Sequence, residues 1–334
     1  MASLMRWSSR KVGALVFLAL LFLLVVHQVS YISDIDFANR LPDPLQVVSQ
    51  CSAESQHDNT GIPKRIHQMW KTNNVSSYPI EATHTAWKSM FEPADYTVKL
   101  WAEADIVNLI AAKYPWLLST YQGYSQNIQR ADVARLVVLH AEGGIYADLD
   151  VHPVSLQEIS CWRHLGLQAL FAPTSGTQGI SNHFVMAEKG SAFLQWALHE
   201  AKRRGGASSR RIIFPYLQVF WSTGPLMVNS AYRSYVSHMG QADKPVGVAE
   251  ERYGGSVIRH AAGRSWHKSD GLFLNYVADR VGVGSSYIVI VAPMLFLALA
   301  AFLARRHFKA GMLASRDGPL SPIIERIQAF KDRS

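Results

Sequence analysis

The chain has 334 residues, 49% of them hydrophobic and 17% charged, with a mean hydropathy of +0.02, which excludes a disordered polymer. A formal charge of +8 points to a nucleic-acid partner only until it is located: residues 1–32 hold three bases and no acid, and residues 287–334 hold seven bases and three acids. Residues 33–286 are left at a net +1, so the body lacks the electrostatic footprint of a nucleic-acid binder and that class is set aside.

Residues 1–11 form a basic tail with Arg6, Arg10 and Lys11. Val12 to Val26 is an uncharged apolar run extending through Ile32, so 12–32 has about the 20 residues that a membrane helix needs. A cleaved signal peptide has a similar pattern, but no small-x-small cleavage site follows His27, and 12–32 is read as an anchor. Residues 33–60, polar and carrying Pro42 and Pro44, read as a stem, and 61–275 as one α/β domain. Within it, Arg65–Trp70 and Tyr96–Trp101 read as strands. Between them lies an N-glycosylation sequon, Asn74-Val75-Ser76. Ala104–Lys113 reads as a helix stopped by Pro115, and Gln126–Glu142 as a longer one closed by Gly143. Lys202-Arg203-Arg204 and Arg210-Arg211 form a basic cluster suited either to a solvated loop or to anionic phosphoinositol headgroups. A second uncharged apolar stretch, 281–304, ends at Arg305 and Arg306 and reads as a stop-transfer helix before a basic tail, 305–334. Bases on the outer flanks of both segments place the two termini in the cytosol and the body in a lumen. Such a lumen permits a disulfide, and two cysteines, Cys51 and Cys161, are present, their pairing left open by the sequence.

The chemistry-bearing residues gather around the longer helix. On a helical wheel Ile128, Asp132, Arg135 and Leu139 share one stripe, so an acid and a base interrupt an apolar face. They read either as a buried ion pair or as residues facing a ligand cleft. Gln129, Arg130 and His140 gather on another face. After Gly143-Gly144, the residues Ile145, Ala147 and Leu149 alternate with Tyr146, Asp148 and Asp150, the period-2 pattern of a strand. Both carboxylates and the tyrosine thus point one way. Like charges so close call for a cation between them, and hard oxygen ligands suit Mg²⁺ or Mn²⁺, which would bind a diphosphate.

Asp132-x-x-Arg135 followed by Gly-Gly-Ile-Tyr-x-Asp-x-Asp resembles the signature of glycosyltransferase family 32. The resemblance extends through residues 62–72, Tyr114-Pro115-Trp116 and residues 127–132. Gly179-Ile180-Ser181-Asn182, Ser222-Thr223-Gly224-Pro225 and Ser265-Trp266-His267 are similar to the branch that mannosylates inositol phosphorylceramide, as is the second membrane segment. The resemblance implies a GT-A fold, a Rossmann-like nucleotide-sugar-binding domain, here flanked by two transmembrane helices. It implies that Asp148 and Asp150 hold Mn²⁺, or Mg²⁺, on the donor diphosphate, with His267 completing the metal or phosphate site. It also implies that Tyr146 contacts the donor, that Asp132 and Arg135 grip sugar hydroxyls or ribose, that Trp70 packs on guanine, and that Asn182 and Trp266 line the site. His183 stands where relatives carry aspartate, as a substitute base or a sign of altered acceptor choice.

The expected activity is transfer of mannose from GDP-mannose to inositol phosphorylceramide, metal-dependent and with retention of configuration, in the Golgi membrane or the endoplasmic reticulum. The resemblance adds a separate membrane-embedded regulatory subunit as a partner. The nearest alternative is an N-glycan outer-chain α-1,6-mannosyltransferase. Outside this class stand a metal-dependent phosphohydrolase with Asp148 as nucleophile and Asp150 as acid, and a non-catalytic membrane subunit. The first leaves Asp132, Arg135 and the Gly-Gly-Ile-Tyr segment without a role, and the second leaves an intact acidic site unexplained.

Overall fold

Residues 13, 16–24, 27, 28, 45–51, 61–78, 82–173, 180–239 and 244–261 are described by this computed structural model. The chain divides into two compact units, Met1–Val29 with Tyr287–Ser334, and Ser30–Ser286. In the first, residues 16–24 are helical and present Val16, Phe17, Leu20 and Leu23 outward. The predicted segment 281–304 lies outside the described residues, and among those described no helix is long and apolar enough to cross a membrane.

In the second unit, strands β1 (Gln46–Val48), β2 (Arg65–Met69), β3 (Thr97–Trp101), β4 (Gly144–Ala147), β5 (Val151–Pro153), β6 (Ala169–Pro173), β7 (Ile180–Ala187), β8 (Val246–Ala249) and β9 (Ile258–His260) alternate with helices. The helices are α1 (His84–Phe91), α2 (Glu103–Lys113), α3 (Pro115–Gln122), α4 (Asn127–Glu142), α5 (Leu156–Trp162), α6 (Ala192–Arg204), α7 (Ala207–Arg210), α8 (Pro215–Ser222), α9 (Pro225–Met239) and α10 (Glu251–Val257). Seven strands form one sheet in the order β1-β8-β6-β7-β4-β2-β3, while β5 and β9 pair antiparallel in a small second sheet. Strand β7 runs against both neighbours, and the other six share one direction. Their carboxyl ends therefore lie along one edge.

Strand periodicity divides the core between the two faces of the sheet. Tyr146, Phe171 and Val185 join α2, α3, α4, α6 and α9 on one side, whereas Ile145, Leu170, Phe184 and Met186 pack with Trp87, Phe91, Ile159 and Trp162 on the other. At the centre of the first layer is α4, buried on nearly every side from Val133 to Ala141. It stops at Gly143 because that residue takes φ +66°, and Gly144 follows at φ +111°. A Cβ on Gly144 would come within 2.4 Å of the Arg65 carbonyl oxygen, so only glycine lets β4 lie against β2 while leaving α4 at this angle.

Several elements depart from the sequence reading. Pro115 ends one helix as expected, and it also opens α3 from its first position, where its missing N–H is no loss. The stretch read as a stem contributes β1 to the sheet, and Cys51 just beyond it is disulfide-bonded to Cys161 in α5. Closing that loop stabilises the fold by about 4–5 kcal/mol in the chain-entropy account. The strand read over 145–150 stops at Ala147, and Asp148–Asp150 form a turn in which Val151 N–H donates to the Asp148 carbonyl at 3.0 Å. Gln129 is buried, its amide donating to Ser222 Oγ at 2.7 Å.

His67 ties these parts together. Its Nδ1 accepts from Trp101 Nε1–H at 3.1 Å, so its Nε2–H donates to the Gly143 carbonyl at 2.9 Å, joining β2 to β3 and to the α4–β4 turn. Burial is the main reason its pKa falls from 6.5 to about 4. The folded value lies below the unfolded one, so the stabilisation is present above pH 6.5 and is lost as pH falls toward 4, with a ceiling on the order of 3 kcal/mol. The unfolding midpoint of the wild type should therefore drop between pH 6.5 and 4.5, and the drop should be smaller in His67→Gln. Tryptophan fluorescence of the purified full chain would measure both, and equal drops would refute the assignment.

Candidate active site

A cavity of about 910 Å³ opens at the shared carboxyl edge of the sheet. Met69 of β2 and Trp70 just after it, Trp101 of β3, Asp148 after β4, Pro173 of β6 and Ala249 of β8 all line it, together with Ser181, Asn182 and His183 at the start of β7. This is where an open α/β sheet with parallel strands binds ligands, because the loops leaving the strands diverge there.

Arg135 of α4 is the hub. Its Nη1 lies 3.3 Å from Asp132 Oδ1 and donates to the Asn182 carbonyl at 3.0 Å, while Nη2 lies 3.3 Å from Asp148 Oδ1. The guanidinium also sits 5.2 Å from the centre of the Tyr146 ring. Asp132 is held from three sides, since Asn182 Nδ2 donates to Oδ1 at 3.1 Å and Thr223 Oγ1 donates to Oδ2 at 2.8 Å. The Tyr146 hydroxyl donates to Asp148 Oδ1 at 2.6 Å. Asp132 and Arg135 form a buried ion pair, and both also line the cavity.

Burial pushes the carboxyls of Asp132 and Asp148 up, against the pull of Arg135 on each. Arg135 is itself opposed by burial, but Asp148, Tyr146 and Asp132 outweigh it and keep the guanidinium charged. Asp150 goes the other way: burial raises it, yet the hydrogen bond and charge of His260 bring it below the usual carboxylate range. The two carboxylates of the Asp-x-Asp turn thus sit in different environments.

His260 is the residue that sequence reasoning missed. It ends β9, which pairs with β5 directly after the Asp-x-Asp turn, and its Nε2 comes within 3.4 Å of Asp150 Oδ2. His183 stacks on it, ring centres 4.3 Å apart and planes 9° apart, with its Nδ1 2.7 Å from Ser181 Oγ. Burial, then the charges of His260 and Arg135, lower His183 to about 3, so it faces the cavity as a neutral imidazole. Thr223 was also missed as a site residue, although the Ser-Thr-Gly-Pro block containing it was noted. No local pattern flags either residue, because the pairing of β5 with β9 and the packing of the α8–α9 junction bring them in.

Trp70 is half-buried at the cavity rim, where its Nε1–H donates to Ser77 Oγ at 2.7 Å and its ring meets Tyr78 edge-on at 4.9 Å. Asn182 has its side-chain amide committed to Asp132, which makes it a positioning residue in this arrangement. Trp266 and His267 lie outside the described residues. Asp148 Oδ2 has no partner among the described residues, and no cluster of three or more His, Cys, Asp or Glu among them is disposed to hold a metal by itself. Asp148 and Asp150 therefore fit a hard divalent cation whose other positions are supplied by ligand oxygens and water.

Residues 65–164 match the family model of the glycosyltransferase sugar-binding region containing the DXD motif. The chain belongs to this glycosyltransferase family. It is 34% identical over 252 residues to inositol phosphoceramide mannosyltransferase 3 of Schizosaccharomyces pombe, covering 72% of this chain and 66% of that protein. It is 28% identical to a mannosyl phosphorylinositol ceramide synthase of Saccharomyces cerevisiae, covering 66% of this chain and 57% of that one. The chain thus spans somewhat under two thirds of the length of these two relatives. Among solved structures, the PaToxG glycosyltransferase aligns over 68% of this chain and 79% of its own at 17% identity and a TM-score of 0.38, too loose a superposition to argue from. The Asp-x-Asp turn lies within the matched region, which contains that family's DXD motif, and the match favours the glycosyltransferase reading over the phosphohydrolase one.

Removing Arg135 alone leaves Asp132 and Asp148 without their cation. Arg135→Met should cost about 3–5 kcal/mol, whereas Arg135→Met combined with Asp132→Leu should regain part of that loss without regaining sugar transfer. Chemical unfolding and a transfer assay on the same preparations would check this. A single variant as stable as the wild type would refute the network.

Proposed function

We propose that this protein transfers mannose from GDP-mannose to the inositol of inositol phosphorylceramide, with retention of configuration. The observation that carries the reading is the placement of Asp148, Asp150 and the charged Arg135 together at the carboxyl edge of the sheet, in a cavity rimmed by Trp70. The two relatives, which are named for this lipid reaction, support the acceptor. In this reading the domain is of the GT-A type, stands in the Golgi lumen between two membrane helices, and works beside a separate membrane-embedded subunit.

Asp148 and Asp150 would hold the divalent ion, Mn²⁺ or Mg²⁺, which when bound neutralises the charge developing on the leaving diphosphate. The chain's own residues do the rest. Trp70 offers an aromatic face to the base at the rim. Asp132, fixed by Thr223, Asn182 and Arg135, presents a carboxylate that is already oriented and loses no freedom on accepting sugar hydroxyls. Arg135 supplies fixed positive charge beneath the diphosphate in a partly water-excluded site, where it needs little reorganisation as charge builds. His183, stacked on His260, forms the wall beside Asp150.

The test is mannose transfer from labelled GDP-mannose in membranes containing the protein, with inositol phosphorylceramide supplied and Mn²⁺ added or chelated. A labelled lipid that requires the metal, and falls by about 100-fold or more in Asp150→Ala, is the expected result. Donor breakdown without lipid labelling would move the acceptor to a protein-linked glycan. Transfer that survives Asp150→Ala would remove the proposed site.

A further inference from the structure

From Ala201 to Met239 the chain carries six bases, Lys202, Arg203, Arg204, Arg210, Arg211 and Arg233, and no acid. The structure sorts the basic cluster noted in the sequence. Arg204 is 1% exposed and serves as an internal brace, donating to Glu200, to the Trp221 carbonyl and to Ser230 Oγ. Arg203 is exposed and clamps Glu200 with two hydrogen bonds. Lys202, Arg210 and Arg211 are exposed around the connection from α6 to α8.

Among those cations, the turn between α7 and α8 pushes two adjacent apolar side chains outward, Ile213 at 54% exposure and Phe214 at 45%. Among the described residues of the second unit, no other adjacent pair of large apolar side chains is exposed together. The turn is anchored from within, because Ile212 is buried with Leu217, Trp221 and Leu226 in a cluster of its own. Helix α8, which begins at this turn, places Tyr216 and Phe220 in the wall of the cavity that holds Asp148 and Asp150, their rings stacked at 4.5 Å. The exposed apolar turn is therefore continuous with the lining of the site.

We propose that the α7–α8 turn is a membrane-contacting edge whose occupant is an anionic bilayer surface. Lys202, Arg210 and Arg211 meet lipid phosphates, Ile213 and Phe214 dip below them, and Tyr216 and Phe220 guide a headgroup still attached to its lipid toward the carboxylates. The chemistry is that of an interfacial anchor, in which apolar side chains enter the headgroup boundary and neighbouring bases add attraction to anionic lipid. The proposal deepens the lipid-acceptor reading and rests on it for the direction of traffic.

Both cysteines of the chain are joined to each other, so Phe214→Cys adds one reactive thiol for an environment-sensitive fluorophore. The full chain would be reconstituted into phosphatidylcholine vesicles with and without about one part in five phosphatidylinositol. Ser89→Cys on α1, which packs against the opposite face of the sheet, serves as the control. A blue shift and quenching by brominated lipid at position 214, stronger with phosphatidylinositol and absent at position 89, is expected. In a second arm, Ile213→Ser with Phe214→Ser should raise KM for the lipid acceptor about tenfold, while GDP release from GDP-mannose to water stays unchanged. An unshifted label on both vesicles, or an unchanged KM, overturns the edge. A shift that requires a membrane protein in place of lipid assigns the surface to a protein partner and overturns it as well. If the wild type labels no lipid with mannose and the label at 214 still shifts, the acceptor reading fails and the membrane edge stands.

Discussion

A guanidinium kept out of water must be matched by negative charge close at hand, and in this protein that requirement organises the site. Arg135 and Asp132 have side chains only 5% exposed, a burial that is costly unless each charge is paired and its hydrogen bonds are made. Meeting most of the requirement recruits groups from four parts of the chain, Asn182 from β7, Thr223 from the α8–α9 junction, Tyr146 from β4 and Asp148 from the turn that follows it, while Arg135 Nε has no hydrogen-bond partner among the described residues. The carboxylates are thereby positioned before any ligand arrives.

That arrangement depends in turn on how closely α4 approaches the sheet. The helix can deliver Asp132 and Arg135 to the edge where β4 ends only if the chain reverses within two residues, which Gly143 and Gly144 achieve with left-handed backbone and no side chain against Arg65. His67 then locks the reversal by donating to the Gly143 carbonyl. Strand β7, the one antiparallel member of the sheet, brings Ser181, Asn182 and His183 to the same edge by its amino end instead of its carboxyl end. A set of residues distant in sequence converges because six of the seven strands bring residues to the cavity at one edge of the sheet.

Charge is distributed with similar economy. The body is nearly neutral, yet the segment leading to α9 is wholly basic and adjoins the cavity wall through Tyr216 and Phe220, while Trp70 and Tyr78 form a separate aromatic rim. Aromatic surface near the acidic site suits flat or apolar parts of substrates. The basic surface outside it suits an anionic environment that the acceptor would bring.

Much of this was legible in the sequence because it is local. Period-2 alternation put Tyr146 with Asp148, although the strand stops at Ala147 and a turn carries Asp150; helical spacing put Asp132 with Arg135, and the Gly-Gly stop marked the end of α4. The order and spacing of those residues carried the family. Local patterns failed where partners come from afar. His260 lies 110 residues beyond Asp150 and reaches it through a strand pair with no sequence signal, Thr223 reaches Asp132 across 91 residues, and β1 joins the sheet from a stretch whose polar composition reads as a stem. Hydrophobic periodicity reports which face of an element is covered and says nothing of what covers it. The sequence by itself therefore determined the ion-pair helix, its glycine stop and the nearness of the two carboxylates, which it carried on a strand where the chain forms a turn. Tertiary packing alone decided which distant groups compensate each buried charge, and hence which carboxylate is raised and which is lowered.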